Sequence, residues 1–168
     1  MSLILEPTQG VAPGLTFANQ DATMRLASGL TCAKGDILAV DMDTVDSTRL
    51  VNNEVREPAT ADFVTASGGA FLRTFFCVAL ETQTTAAGPV RCRFVGEVDA
   101  KIVSTSVAVG EYLSPTNASR ALTESTGAAG SGTCNVALAR VANTTANAVV
   151  RVLFNGINGF GTHLTNTT

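Results

Sequence analysis

From Met24 onward the apolar positions fall into short runs divided by polar or glycine-bearing gaps. MRLAS (24–28) alternates, and GDILAVD (35–41) is a turn followed by Ile, Leu and Val. AFLRTFFCVAL (70–80), VRCRFVGEV (90–98), AKIVSTSVAV (100–109), EYLSP (111–115), CNVALARV (134–141) and AVVRVLFNG (148–156) follow. These runs are rich in β-branched residues and end at Gly, Pro, Asn or Ser/Thr clusters, which is how strands read in a sequence. Within 90–94, Val90, Cys92 and Phe94 fall on one side and Arg91 and Arg93 on the other, the period of two of a half-buried strand. No segment sustains three turns of helical periodicity; the nearest to one is 59–67. The pattern predicts an all-β domain, a small barrel or sandwich.

Four segments stand outside this rhythm. Residues 41–62 (DMDTVDSTRLVNNEVREPATAD) carry most of the acids and read as a polar excursion. STGAAGSGTC (125–134) reads as a Gly/Ser/Ala loop, and 157–168 (INGFGTHLTNTT) as a C-terminal tail. Residues 1–24 read as an N-terminal arm. Pro7, Gly10, Pro13 and Gly14 interrupt regular structure there, yet Leu3, Ile4, Leu5, Val11, Leu15 and Phe17 are spaced along it. The expected organisation is an arm (1–24), a β-rich domain (25–156) and a tail (157–168).

The chain also repeats itself. VALETQTTAAGPVRCRFVG (78–96) and VALARVANTTANAVVRVLFNG (136–156) both open on Val-Ala-Leu and close on Val-Arg-x-x-Phe-x-Gly. Upstream of each lies a Gly-acid turn that launches a strand, Gly35-Asp36-Ile37-Leu38 and Gly110-Glu111-Tyr112-Leu113. The units run 35–96 and 110–156, the first lengthened by the acidic excursion, the second with two extra residues between its Val-Ala-Leu and its Val-Arg. A strand–loop–hairpin unit used twice could close a barrel and leave few open edges.

Composition narrows the function. Of 168 residues 15% are charged, against about 25% in ordinary soluble domains, and the formal net charge is −3. Lys34 and Lys101 are the only lysines, so there is no cationic cluster for nucleic acid. No apolar run is long enough for a membrane span, and MSLILEPTQG lacks the basic start of a secretory signal. The expectation is a protein kept in the cytoplasm of the cell that makes it. Cys32, Cys77, Cys92 and Cys134 form no C-x-x-C pair and read as buried thiols; Cys77 and Cys92 could meet across a hairpin, against a reducing compartment. His163 stands alone in the tail, and the sequons at Asn117, Asn143 and Asn166 matter only in a secreted chain.

Candidate chemistry is sparse. GDILAVD is similar to a segment of self-cleaving repressors and signal peptidases, which use a serine with a lysine base; the available pair is Ser28 and Lys101, without the expected Gly-Asp-Ser-Met element. Asp41, Asp43 and Asp46 cluster, but their spacing to Glu54 does not make a calcium loop. Glu97 and Asp99 read as exposed strand positions rather than a glycosidase pair. Phosphate-binding glycine motifs are absent. No catalytic residue, cofactor or metal is expected.

The order Gly-Asp-Ile-Leu, Val-Ala-Leu, a polar loop, Val-Arg-x-x-Phe-x-Gly and Gly-Glu-Tyr-Leu with a following Pro resembles the capsid cement, or head decoration, proteins of tailed bacteriophages. The resemblance spans roughly 30–156 and rests on turn-and-strand signatures. It implies a structural β-rich knob on the outer surface of the expanded head, assembled in the host cytoplasm, commonly trimeric, with the major capsid protein as partner. It also implies an arm that grips the coat; here Leu3, Ile4, Leu5, Val11, Leu15 and Phe17 would be its anchors. The alternative is a carbohydrate- or host-surface-binding module of a tail or fibre. Flat aromatic platforms usually carry such binding, and this chain has no Trp and only Tyr112.

Overall fold

The computed structural model describes residues 19–41, 45–46, 49–50, 54–59, 62, 75–125 and 135–157. Their strands are β1 (Gln20–Leu26), β2 (Ile37–Val40), β3 (Val45–Asp46), β4 (Arg49–Leu50), β5 (Glu54–Arg56), β6 (Phe76–Ala79), β7 (Pro89–Ile102), β8 (Tyr112–Thr116), β9 (Ser119–Glu124), β10 (Ala137–Ala139) and β11 (Ala148–Asn155). Among the described residues there is no α-helix. β3 and β4 pair only with each other; the other strands form one sheet.

That sheet closes twice. β1, β5, β2, β6 and β7 follow in order, and β7 returns to β1. β7, β11, β10, β8 and β9 also follow in order, and β9 returns to β7. Two five-stranded barrels thus share one wall. Closure pairs the strand edges that would otherwise invite aggregation. The shared strand, β7, is 14 residues long, about 45 Å at the usual rise. Its first half, Pro89–Val95, pairs with β1, and Val95–Ile102 pairs with β11. Gly96, at φ 120°, marks the changeover. The sequence predicts two strands here, divided at Asp99. Instead Asp99 continues the strand, because its carboxylate points outward and takes a 2.6 Å hydrogen bond from Arg151 opposite.

The all-β class and the twofold use of one unit are as the sequence predicts, and the repeat extends to every barrel strand. β2, β5, β6 and the first half of β7 correspond to β8, β9, β10 and β11; β1 corresponds to the second half of β7. The pairings coincide residue by residue. Leu26 faces Val55 in a parallel pair, as Ile102 faces Leu122. Ile37 faces Val78, as Tyr112 faces Leu138. Gly35 and Gly110 both turn with φ near 90°, a conformation that favours glycine. Their N–H groups donate to the carbonyls of Ala79 and Ala139. Asp36 and Glu111 each accept the N–H three residues back, from Ala33 and Ala108.

One part of the repeat differs from its expected register. Val78 pairs with Arg93 and Ala79 with Cys92; Leu138 pairs with Leu153 and Ala139 with Val152. The counterpart of Val78-Ala79-Leu80 is therefore Leu138-Ala139-Arg140, not Val136-Ala137-Leu138. The second unit has no extra residues between these strands. Gln83 and Asn143 fall in line, each accepting the N–H two residues on through its side-chain oxygen, from Thr85 and Thr145. A slip of two keeps every side chain on its own face, so the repeated Val-Ala-Leu string could mislead without violating the apolar pattern.

Each barrel has its own interior. The first packs Met24, Leu26, Leu38, Val55, Cys77, Ala79, Val90 and Cys92. At the matching positions the second packs Ala100, Ile102, Leu113, Leu122, Ala137, Ala139, Val150 and Val152. Each fully buried Leu, Ile or Val stabilises the fold by roughly 1.5–3 kcal/mol. β1 begins at Gln20, so the last residues assigned to the arm, 20–24, belong to the first barrel. Pairing with both β5 and β7 holds them there. β9 was not among the predicted strands; its sequence, SRALTE, is mostly polar because only Ala121 and Leu122 are fully buried.

Candidate functional site

The sequence-predicted coat-binding anchors, Leu3, Ile4, Leu5, Val11, Leu15 and Phe17, lie outside the described residues, as do His163, Asn166, Cys134 and the side chains of Asp43 and Asp46. The remaining candidates have structural surroundings. Ser28 sits in the turn after β1, while Lys101 lies in β7 opposite Val149. Asp41 follows β2 directly and faces Arg56 at 4.0 Å. Glu97 and Asp99 project outward and pair with Arg140 (3.3 Å) and Arg151 (2.6 Å). Asn143 is buried, and its amide donates to the carbonyls of Ser104 and Thr145. Asn117 lies exposed in the β8–β9 turn.

Cys32, Cys77 and Cys92 are free thiols inside the first barrel. Burial pushes the Cys77 thiol well above its ordinary value, and a hydrogen bond with Cys92 pushes the same way. Burial also raises Cys32. Thiols held protonated in this way are poor nucleophiles and poor metal ligands. Among the described residues no group of three or more His, Cys, Asp or Glu side chains is placed to hold a metal ion.

What the fold does assemble is a seam between the barrels. On β2 and β6, Leu38, Val40, Cys77 and Ala79 face the first barrel's interior, while Ile37, Ala39, Phe76 and Val78 face the other way. This second set is fully buried and belongs to one apolar cluster with the second barrel's interior. Beside it Arg120, near the start of β9, donates to the carbonyl of Thr31 and lies 3.4 Å from the Asp36 carboxylate and 3.2 Å from Glu57. The N–H of Ala118 donates to the carbonyl of Pro58.

The corresponding face of the second barrel is partly exposed. Tyr112, Leu138 and Leu153 sit opposite one another across β8, β10 and β11. All three point away from the interior set Leu113, Ala137, Ala139 and Val152. Tyr112 is 40% exposed, and Leu138 and Leu153 are half-buried. The residues at these positions in the first barrel are Ile37, Val78 and Arg93.

A second surface is charged. Arg93 donates from Nε and from a terminal nitrogen to the two oxygens of Asp21 at 2.7 and 2.9 Å. The hydrogen bond from Arg93 holds the Asp21 carboxyl below its ordinary value, with Arg93 and Arg91 charges adding to the effect and partial burial opposing it. The pair ties β1 to β7 across a direct cross-strand register.

Neither Arg120 nor the Tyr112–Leu138–Leu153 row was singled out by sequence reasoning. A signal for the row was present. In AVVRVLF the positions alternating with the buried residues are Val149, Arg151 and Leu153, an outward side more apolar than Arg91 and Arg93 in the first copy. In comparisons with models of known families and with curated proteins, the chain finds no match.

Proposed function

We propose that the protein is a capsid cement protein: a structural component that binds the outside of an expanded bacteriophage head, associates with copies of itself as a trimer, and reinforces contacts between major capsid protein subunits. The observation that carries this reading is the place of the resemblance motifs in the fold. Gly35-Asp36 and Gly110-Glu111 are the matching turns of two barrels, and Val90-Arg91 and Val150-Arg151 lie at matching positions of the first half of β7 and of β11. The turn and strand motifs that carry the resemblance thus lie on the framework of the molecule rather than on one loop. A doubly closed sheet joined by a buried seam also suits a rigid load-bearing knob.

In this mechanism the arm, with Leu3, Ile4, Leu5, Val11, Leu15 and Phe17 as anchors, adds a strand to a sheet edge of the coat. Backbone hydrogen bonds supply affinity, and alternate side chains set the register. Three arms on one trimer raise binding through effective concentration. The test is co-sedimentation with expanded and unexpanded heads of the virus that encodes the chain. The full chain should pellet with expanded heads, and a chain lacking residues 1–17 should stay in the supernatant while retaining its β-sheet circular dichroism. Equal pelleting of the truncated chain removes the arm from the mechanism, and no pelleting of the full chain removes the function.

A further inference from the structure

We infer that Arg93 is a positioning residue: its guanidinium clamps the start of β1 across the junction of the two barrels, so that the arm preceding Asn19 is presented from one fixed place. The inference rests on the coat-binding arm of the proposed reading and names the residue that orients it.

The geometry uses every nitrogen of the guanidinium. Nε and Nη2 donate to the two oxygens of Asp21 at 2.7 and 2.9 Å, and Nη1 donates to the backbone carbonyl of Glu97 at 2.6 Å. Asp21 is the second residue of β1. Glu97 lies just beyond Gly96, where β7 changes partners. One side chain on the first half of β7 thus holds the entering end of β1 and the second half of β7 together. It is only 17% exposed, and its planar fork makes the contact directional. Asn19 is held at the same junction. A Cβ on Gly96 would run into the Asn19 side-chain oxygen. The register of β1 against β7 also shifts between Gln20 and Asp21, an irregularity of the kind that re-aims a chain at a strand end.

The repeat supplies the control. Because Leu26 and Ile102 hold matching places, Asp21 corresponds to Glu97. Opposite Asp21 stands Arg93; opposite Glu97 stands Leu153. The Glu97 carboxylate meets Arg140, which follows β10, instead. In the second barrel the strand in question is the second half of β7, which the chain enters directly from the first half, so the backbone already fixes its entry. In the first barrel the strand is entered from the arm, and there the clamp is present. Ion pairs at the surface add only about 0–1 kcal/mol to global stability. Three donors converging on a strand end therefore act on local order at that end, where native structure opens most readily. A root that is already ordered lowers the entropy lost when the arm binds.

The experiment measures hydrogen exchange in the purified full chain without heads, and co-sedimentation of the same chain with expanded heads. The variants are Arg93→Gln and Arg93→Lys. Lysine keeps the charge, but its one nitrogen cannot reach both Asp21 oxygens and the Glu97 carbonyl together. In Arg93→Gln the amides of residues 19–23 should exchange about tenfold faster or more, while those of 98–102 and the urea midpoint stay close to wild type. Arg93→Lys should fall between. Both variants should pellet less with expanded heads, in the same order. Unchanged exchange at 19–23 overturns the clamp. Equal acceleration throughout the domain makes Arg93 an ordinary structural residue and overturns the inference, as does local acceleration with undiminished pelleting. If the wild type itself never pellets, the coat-binding reading fails and takes the positioning role with it, while exchange still decides whether the clamp exists. The two failures are therefore distinguishable.

Discussion

Arg120 of the second barrel reaches the Asp36 carboxylate of the first at 3.4 Å and donates to the Thr31 carbonyl beside it. The Asp36 side chain is only 5% exposed. Its other described partner is the N–H of Ala33, 3.0 Å away. Replacing Arg120 with Met keeps the apolar stem but leaves a buried carboxylate short of its counter-charge. Such losses cost about 1–3 kcal/mol. Arg120 is itself 32% exposed, so the lower half of that range is expected. Glu57, at 40% exposed, should matter little, because exposed pairs are worth about 0–1 kcal/mol. Urea unfolding of Arg120→Met and Glu57→Gln checks the ranking. Equal midpoints for the two variants would mean that the seam is held by Ile37, Ala39, Phe76 and Val78 alone.

Two glycines separate backbone strain from backbone collision. Gly110 turns with φ 89°, and nothing lies within 4 Å of where its Cβ would be. Gly110→Ala should cost on the order of 1 kcal/mol from the left-handed conformation alone. Gly156 is different. A Cβ there would run into the backbone carbonyl of Phe76, whose N–H in turn donates to the Gly156 carbonyl. Neither partner can rotate away. Gly156→Ala should lose more than about 3 kcal/mol, beyond the common range for single substitutions, or fail to accumulate as folded protein. Thermal unfolding of both variants decides it, and a Gly156→Ala protein as stable as Gly110→Ala would contradict the close approach of β11 to β6.

The Asp21–Arg93 pair sets an acid limit. Because Arg93 lowers the Asp21 carboxyl in the folded protein, its contribution is complete above the unfolded carboxylate value of about 3.9. It is lost as the pH falls through the lower folded value. The Asp21 side chain is 27% exposed, and solvent screening keeps the contribution below about 1 kcal/mol. Asp21→Asn should therefore be slightly less stable than wild type at pH 7, and the gap should narrow below about pH 4. Denaturation midpoints at pH 7, 4 and 3 test this. A gap that widens in acid would reverse the sign.

Much of this architecture could be read in the chain, and the exceptions have physical causes. The turn glycines Gly35 and Gly110, the interior alternation of Val90, Cys92 and Phe94, and the doubling of the unit all follow from local pattern. The sharing of β7 does not. Asp99 and Gly96 look like terminators until Arg151 and the changeover in partners account for them. The offset of Val-Ala-Leu was hidden because a two-residue slip preserves side-chain facing. The Arg120 seam was unreadable for another reason. Its partners Thr31, Asp36 and Glu57 meet it only through barrel closure, and a single charged residue in a polar strand carries no signal of a distant carboxylate. The arm anchors lie outside the described residues, and co-sedimentation addresses them directly.

The thiols of the first barrel give the last expectation. Cys32, Cys77 and Cys92 are buried where the second barrel has Val107, Ala137 and Val152. In both barrels these positions are filled with small apolar volume, and free cysteine packs as a small hydrophobe. Burial raises Cys77 and Cys32, so little thiolate forms in the folded state near neutral pH. With Cys134 replaced by serine to remove its contribution, a thiol reagent at pH 8 should label the native protein slowly, at a rate tied to opening of the barrel, and should label all three sites at once in 6 M guanidinium. Cys77→Ala, which installs the residue of the sister barrel, should cost no more than about 1–2 kcal/mol. Rapid labelling of native protein, or formation of a Cys77–Cys92 disulfide in mild oxidant without loss of the fold, would show that the first barrel opens far more readily than its packing implies.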